Sequence, residues 1–73
     1  MTKLSDRTRR SSIRTLIRLL TDQALSIPEI QETLELSPDD IIECLVEVTA
    51  GDFKLSVEHI GGSVVYALEY KIP

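Results

Sequence analysis

The stretch Ser26-Ile27-Pro28-Glu29-Ile30-Gln31-Glu32-Thr33-Leu34-Glu35-Leu36-Ser37-Pro38-Asp39-Asp40-Ile41 reads as a short helix, a tight turn and the start of a further helix. At Ser26 the pattern is a capping box. The serine hydroxyl can accept the third free backbone N–H, and Glu29 can reach back to the serine N–H. Pro28 fits within the first turn because its missing donor would have had no partner there. Ile27, Ile30 and Leu34 then share one side over barely two turns, a helix too short to persist without packing. The same punctuation returns at Ser37-Pro38-Asp39-Asp40. Here serine caps, proline takes the first helical position, and two aspartates meet the positive end of the helix dipole.

Working outward toward the C-terminus, this next helix runs to about Ala50, where Gly51 supplies a stop. Measured from Ile41 at 100° per residue, Ile41, Ile42, Leu45, Val48 and Thr49 fall at about 0°, 100°, 40°, 340° and 80°. Asp40, Glu43 and Glu47 fall at about 260°, 200° and 240°, so a core face and an acidic face are expected. Cys44, at about 300°, borders the core as a small apolar filler. The remaining chain is strand-like. Phe53 to Ile60 alternates, Gly61-Gly62-Ser63 turns, and Val64 to Tyr70 returns. Phe53, Leu55 and Val57 share one face of the outgoing strand, and Val64, Tyr66, Leu68 and Tyr70 share one face of the return.

Toward the N-terminus, a helix is expected from Ser11 to about Gln23, with Ile13, Leu16, Ile17 and Leu20 in the one-face pattern of an amphipathic helix. If it extends back to Arg7, then Arg7, Arg10, Arg14 and Arg18 form a second stripe, within about 80° of one another and offset from the apolar side centred near 230°. Leu4 and Leu19 would extend the apolar surface beyond the main stripe.

The chain has 73 residues, 42% hydrophobic and 27% charged, enough for one compact domain and no more. Its net charge of −4 is divided unevenly. Residues 1–18 carry Lys3, Arg7, Arg9, Arg10, Arg14 and Arg18 against Asp6, or +5, and the rest carries Lys54 and Lys71 against eleven carboxylates, or −9. A basic N-terminal arm over residues 1–10 is therefore expected ahead of a domain over 11–73. The acidic balance argues against indiscriminate nucleic-acid binding, while the basic end leaves a local contact open. One Cys and one His assemble no disulfide framework, no metal cluster and no nucleophile–base pair, so neither an enzyme nor a cofactor is expected. No apolar run is long enough to span a membrane, and the N-terminus lacks the apolar core of a signal peptide; a cytoplasmic location is expected.

Helix, two short helices joined by a tight turn, then a Gly-Gly hairpin: this order resembles the winged helix-turn-helix family. The likeness is carried by Leu25 to Ser37, by the spacing of Ile41, Leu45 and Val48, and by Gly61-Gly62-Ser63-Val64-Val65-Tyr66-Ala67-Leu68 as wing tip and closing strand. It covers roughly residues 11–70. The resemblance implies a small α+β fold, three helices plus a C-terminal β-hairpin wing. It also implies a DNA-associated role, commonly in transcriptional regulation, with the third helix in the major groove and the wing on the backbone. Ser37, Asp39, Asp40, Glu43 and Glu47 would then face DNA. Four of these five are carboxylates that repel phosphate, and the wing tip offers His59, Gly61, Gly62 and Ser63 without Arg or Lys.

Two functions follow. In one, DNA is gripped by the arm and first helix through Lys3, Arg7, Arg9, Arg10, Arg14 and Arg18, with Ser37, His59 and Ser63 as supporting contacts. In the other, the acidic third helix (Asp39, Asp40, Glu43, Glu47) or the sheet holds a protein partner. A homodimer is also expected, because the return strand is apolar on both faces, with Val65 and Ala67 opposite Val64, Tyr66 and Leu68, and such a strand needs cover or edge pairing.

Overall fold

The computed structural model describes residues 5–71. Lys3 and Leu4 lie outside them. The elements are α1 (Asp6–Asp22), α2 (Ile27–Leu34), α3 (Pro38–Thr49), β1 (Phe53–Ile60) and β2 (Ser63–Tyr70). Three helices followed by an antiparallel hairpin make a small α+β fold in a winged-helix arrangement, as the sequence predicts.

Each helix opens on a serine. Ser5, Ser26 and Ser37 accept the N–H of Thr8, Glu29 and Asp40 at 3.2, 3.5 and 3.2 Å. The first of these caps moves the start of α1 five residues ahead of the expected Ser11, because Ser5-Asp6 combines a cap with a first-turn carboxylate. Residues 6–10 of the expected arm are therefore the first turns of a helix. At α2 the capping box is complete, with the Ser26 N–H donating to Glu29 Oε1 at 2.9 Å. That bond, and then the Ser26 hydroxyl, hold the Glu29 carboxyl below its ordinary 4.5. The turn into α3 passes through Glu35 in the left-handed region (φ 56°), the one described non-glycine residue with positive φ. Its N–H donates to Gln31 O at 2.7 Å and closes α2.

The core gathers Leu16 and Leu20 from α1, Ile30 from α2, Ile41, Cys44, Leu45 and Val48 from α3, and Leu25 and Leu68 from outside the helices. Leu19, expected to extend the apolar surface of α1, packs half-buried against this cluster. On α3 the buried arc is rotated from the expected one. It runs from Cys44 through Val48 and Ile41 to Leu45, about 300° to 40°, and Cys44 is fully inside. Ile42, expected in the core, is 51% exposed, and Val46 is 63% exposed. This arc is the side of α3 on which the rest of the core cluster gathers.

In the hairpin, Gly61 and Gly62 both take positive φ (54° and 82°), so a two-residue turn joins Ile60 to its partner Ser63. Ser63 belongs to β2 and not to the turn. The register pairs Leu55 with Leu68 and Val57 with Tyr66 on the face that packs on the helices at its base. Burial on β1 stops after Ser56, and Val57 is 50% exposed. The middle of the far edge of β2 is also occupied. Leu25 and Tyr66 exchange two backbone hydrogen bonds, 2.9 and 2.7 Å. Part of the pairing demand attributed to a second copy is thus met within the chain, while Val65 and Ala67 are half-buried.

Two expectations follow. Ile30, fully buried, should lose about 0.5–1.5 kcal/mol on substitution to Val and about 2–5 kcal/mol to Ala, the second comparable with the ~3–5 kcal/mol a core this small supplies. Urea unfolding measures both, with Ile30→Ala leaving little folded population. Glu29 should titrate below 4.5 by carboxyl carbon shift, and Ser26→Ala should move it back toward that value. Because its folded pKa is depressed, the capping-box contribution is present above 4.5 and is lost as pH falls through the folded value.

Candidate functional site

The helical period sorts the five α1 arginines into two groups. Arg7, Arg10, Arg14 and Arg18 lie along one exposed ridge, about 16 Å from first to last at 1.5 Å per residue. None of the four forms an ion pair among the described residues. Asp6, Arg7, Arg10, Ser11 and Arg14 border a shallow hollow of about 450 Å³. Such a ridge presents fixed positive charge and fork-shaped donors to an anionic surface.

Arg9 stands apart. About 200° from Arg7, it leans with the apolar stripe toward α3, reaching Glu43 at 3.9 Å and Glu47 at 3.7 Å. Unlike the other four, it is engaged in ion pairs within the molecule. The two carboxylates expected on a free acidic face are partly neutralised inside the molecule. Asp40 is half-buried and Asp39 is exposed.

The outward face of α3 is not the uniformly acidic surface the sequence suggested. Ile42 and Val46 project from it beside Asp39 and Glu43, and with Ile27, Leu45, Thr49, Leu55 and Tyr66 they form an apolar groove of about 210 Å³. Val46 escaped the sequence reading, although its phase of about 140° places it outside the core arc. A third cleft, about 400 Å³, lies between α1 and the α3–β1 corner, with Ile13, Ile17, Val48 and Phe53 in its walls and Arg10, Arg14, Glu47 and Asp52 around them.

The remaining expected contacts are not brought together with the ridge by any described hydrogen bond or ion pair. The Ser37 hydroxyl is engaged as the α3 cap. His59 and Ser63 are exposed at the wing tip, where Ile60 is also 57% exposed. Lys54 pairs with Glu69 at 3.6 Å, and Lys71 Nζ donates to Thr49 O at 2.9 Å, supplying the cation that the last turn of α3 lacks. Among the described residues no group of three His, Cys, Asp or Glu could hold a metal ion, and no helix is long and apolar enough to cross a membrane.

Comparison of the chain with protein-family models, with curated proteins and with solved structures finds no match to any of them.

Burial raises the Cys44 thiol pKa, with nearby Arg9 opposing and Glu47, Asp40 and Glu43 reinforcing the shift. A thiol reagent at neutral pH should therefore modify Cys44 only as the protein unfolds, with labelling rising along the urea transition. Prompt labelling of the native protein would contradict the burial. Arg9→Ala should destabilise by about 1 kcal/mol or less, since all three partners are solvent-screened, and 1 M salt should erase most of the difference.

Proposed function

We propose that this chain is a winged-helix DNA-associated protein, a transcriptional regulator by class, that contacts the DNA backbone through its first helix. The observation that carries the reading is the exposed ridge of Arg7, Arg10, Arg14 and Arg18, with no carboxylate paired to it among the described residues. Duplex DNA carries one charge per about 1.7 Å of axis, so a 16 Å ridge has phosphates to meet along its whole length. The α3 face, with Ile42, Val46, Asp39 and Glu43, offers nothing cationic to the major groove. Contact led by α1 therefore fits this charge distribution, and contact led by α3 does not. His59 and Ser63 at the wing tip add a hydrogen-bonding contact at most. Binding of this kind reads backbone and shape more than base edges.

A second reading, a protein-interaction module, is favoured by a separate observation. Two aliphatic side chains of α3 are more than half exposed beside an apolar groove.

Changing Arg7, Arg10, Arg14 and Arg18 to Ala together should flatten the log–log salt dependence of duplex binding by about 0.9 per lost contact, roughly 3.6 in all. Amide shifts on titration with a short duplex should concentrate between Ser5 and Arg18. An unchanged slope, or shifts centred on α3, would overturn the proposed docking mode.

A further inference from the structure

We infer that the groove between α3 and the sheet is a docking site for a cationic amphipathic segment of another protein, one that seats aliphatic side chains between Ile42, Val46, Leu55 and Tyr66 and places Lys or Arg beside them. This rests on the protein-interaction reading and adds the chemistry of the partner.

Shape comes first. The groove has room for one or two aliphatic side chains, and its lining is almost wholly hydrocarbon. Ile42 and Val46 are one turn apart on α3, the spacing that receives anchors from an amphipathic helix. Their exposure is not a by-product of a loose core, because Ile41, Cys44, Leu45 and Val48 on the same helix are buried.

Charge then selects the occupant. The four elements that build the groove, α2, α3, β1 and β2, carry Glu29, Glu32, Asp39, Asp40, Glu43, Glu47, Glu58 and Glu69 against Lys54 alone, a balance of 1 − 8 = −7 that Arg9 of α1 offsets only in part through Glu43 and Glu47. Lys54 is itself paired with Glu69. Asp39 and Glu43 flank the Ile42–Val46 stripe directly, at about 160° and 200° against 100° and 140°. A nucleic acid would meet repulsion here. So would a second copy of this chain applied through the same face, because each copy would bring the −7 balance to the contact. A segment with aliphatic anchors and basic flanks gains from both features.

The test uses the full chain and three synthetic peptides of equal length: an amphipathic Leu/Lys helix, its Leu/Glu counterpart, and a Lys/Ser peptide without apolar residues. In an amide-shift titration, the Leu/Lys peptide should move Ile42, Val46, Leu55 and Tyr66. It should bind about tenfold or more tightly than either control. Ile42→Ala with Val46→Ala, which leaves a good helix former at both positions, should weaken it about tenfold while the urea midpoint stays within a few tenths molar. Equal binding of Leu/Lys and Leu/Glu peptides at the groove would overturn the charge selection and leave the protein-interaction reading standing. Equal binding of the Lys/Ser peptide would show mere attraction to an acidic surface and overturn the inference. Absence of shifts with every peptide would remove both the inference and that reading. Shifts at Ile42 and Val46 that depend on protein concentration alone would overturn the inference in favour of self-association.

Discussion

Leu16 and Leu20 of α1, Ile30 of α2, and Ile41 and Cys44 of α3 meet in one cluster at essentially no exposure, and every other part of the fold leans on that contact. The chain is small, so the interior comprises few residues and each helix contributes at least one. None of the helices would persist alone, least of all α2 with eight residues. Their mutual packing converts three locally capped segments into a platform, and the hairpin then seats Leu68 on it, with Phe53 and Leu55 alongside. The surfaces with functional promise are set by the same contact. Once the apolar stripe of α1 is committed inward, Arg7, Arg10, Arg14 and Arg18 are held outward, and once the buried arc of α3 is committed, Ile42 and Val46 are left over.

Arg9 shows how this geometry allocates charge. It belongs to the basic segment by sequence but to the α1–α3 seam by phase, where it meets Glu43 and Glu47. The molecule thereby keeps four arginines on its exterior and uses a fifth to moderate an acidic helix. Positive charge ends up on one side of α1, and an apolar surface with carboxylate neighbours ends up on another side of α3. The hollow along the arginine ridge and the groove on α3 share no lining residue.

The caps at Ser26 and Ser37 are legible because capping is local: a serine hydroxyl needs only its own next three residues. The two-residue hairpin was legible for the same reason, through Gly61-Gly62. The start of α1 lies ahead of the expected Ser11 because the Ser5-Asp6 cap carries the helix beyond the apolar periodicity, which begins only at Ile13. The phase error on α3 has a different origin. Periodicity states which residues cluster on a face, and the centre of that face is fixed only by neighbours. Packing placed Cys44 inside and Ile42 outside. Leu25 carries a local signal of its own. It immediately precedes the Ser26 cap, with Ile30 at the fourth helical position, the pattern of a hydrophobic staple, and both are buried. Its backbone pairing with Tyr66 had no such signal, since a single bridged residue leaves no alternation.

That bridge has a kinetic consequence. The helices and the hairpin are built from contacts close in sequence, and such contacts form quickly. Leu25 and Tyr66 lie 41 positions apart, and their two hydrogen bonds close a loop that contains α2, α3 and the whole of β1. Closing it requires a search whose entropic cost rises with loop length, before any reward from the bonds themselves. Like the packing of α1 on β2, the joining of the return strand to the residue that introduces α2 therefore carries a closure cost that the helices and the hairpin do not. Unfolding need not begin with the separation of the helices, because release of this one stitch frees the wing from the connection between α1 and α2.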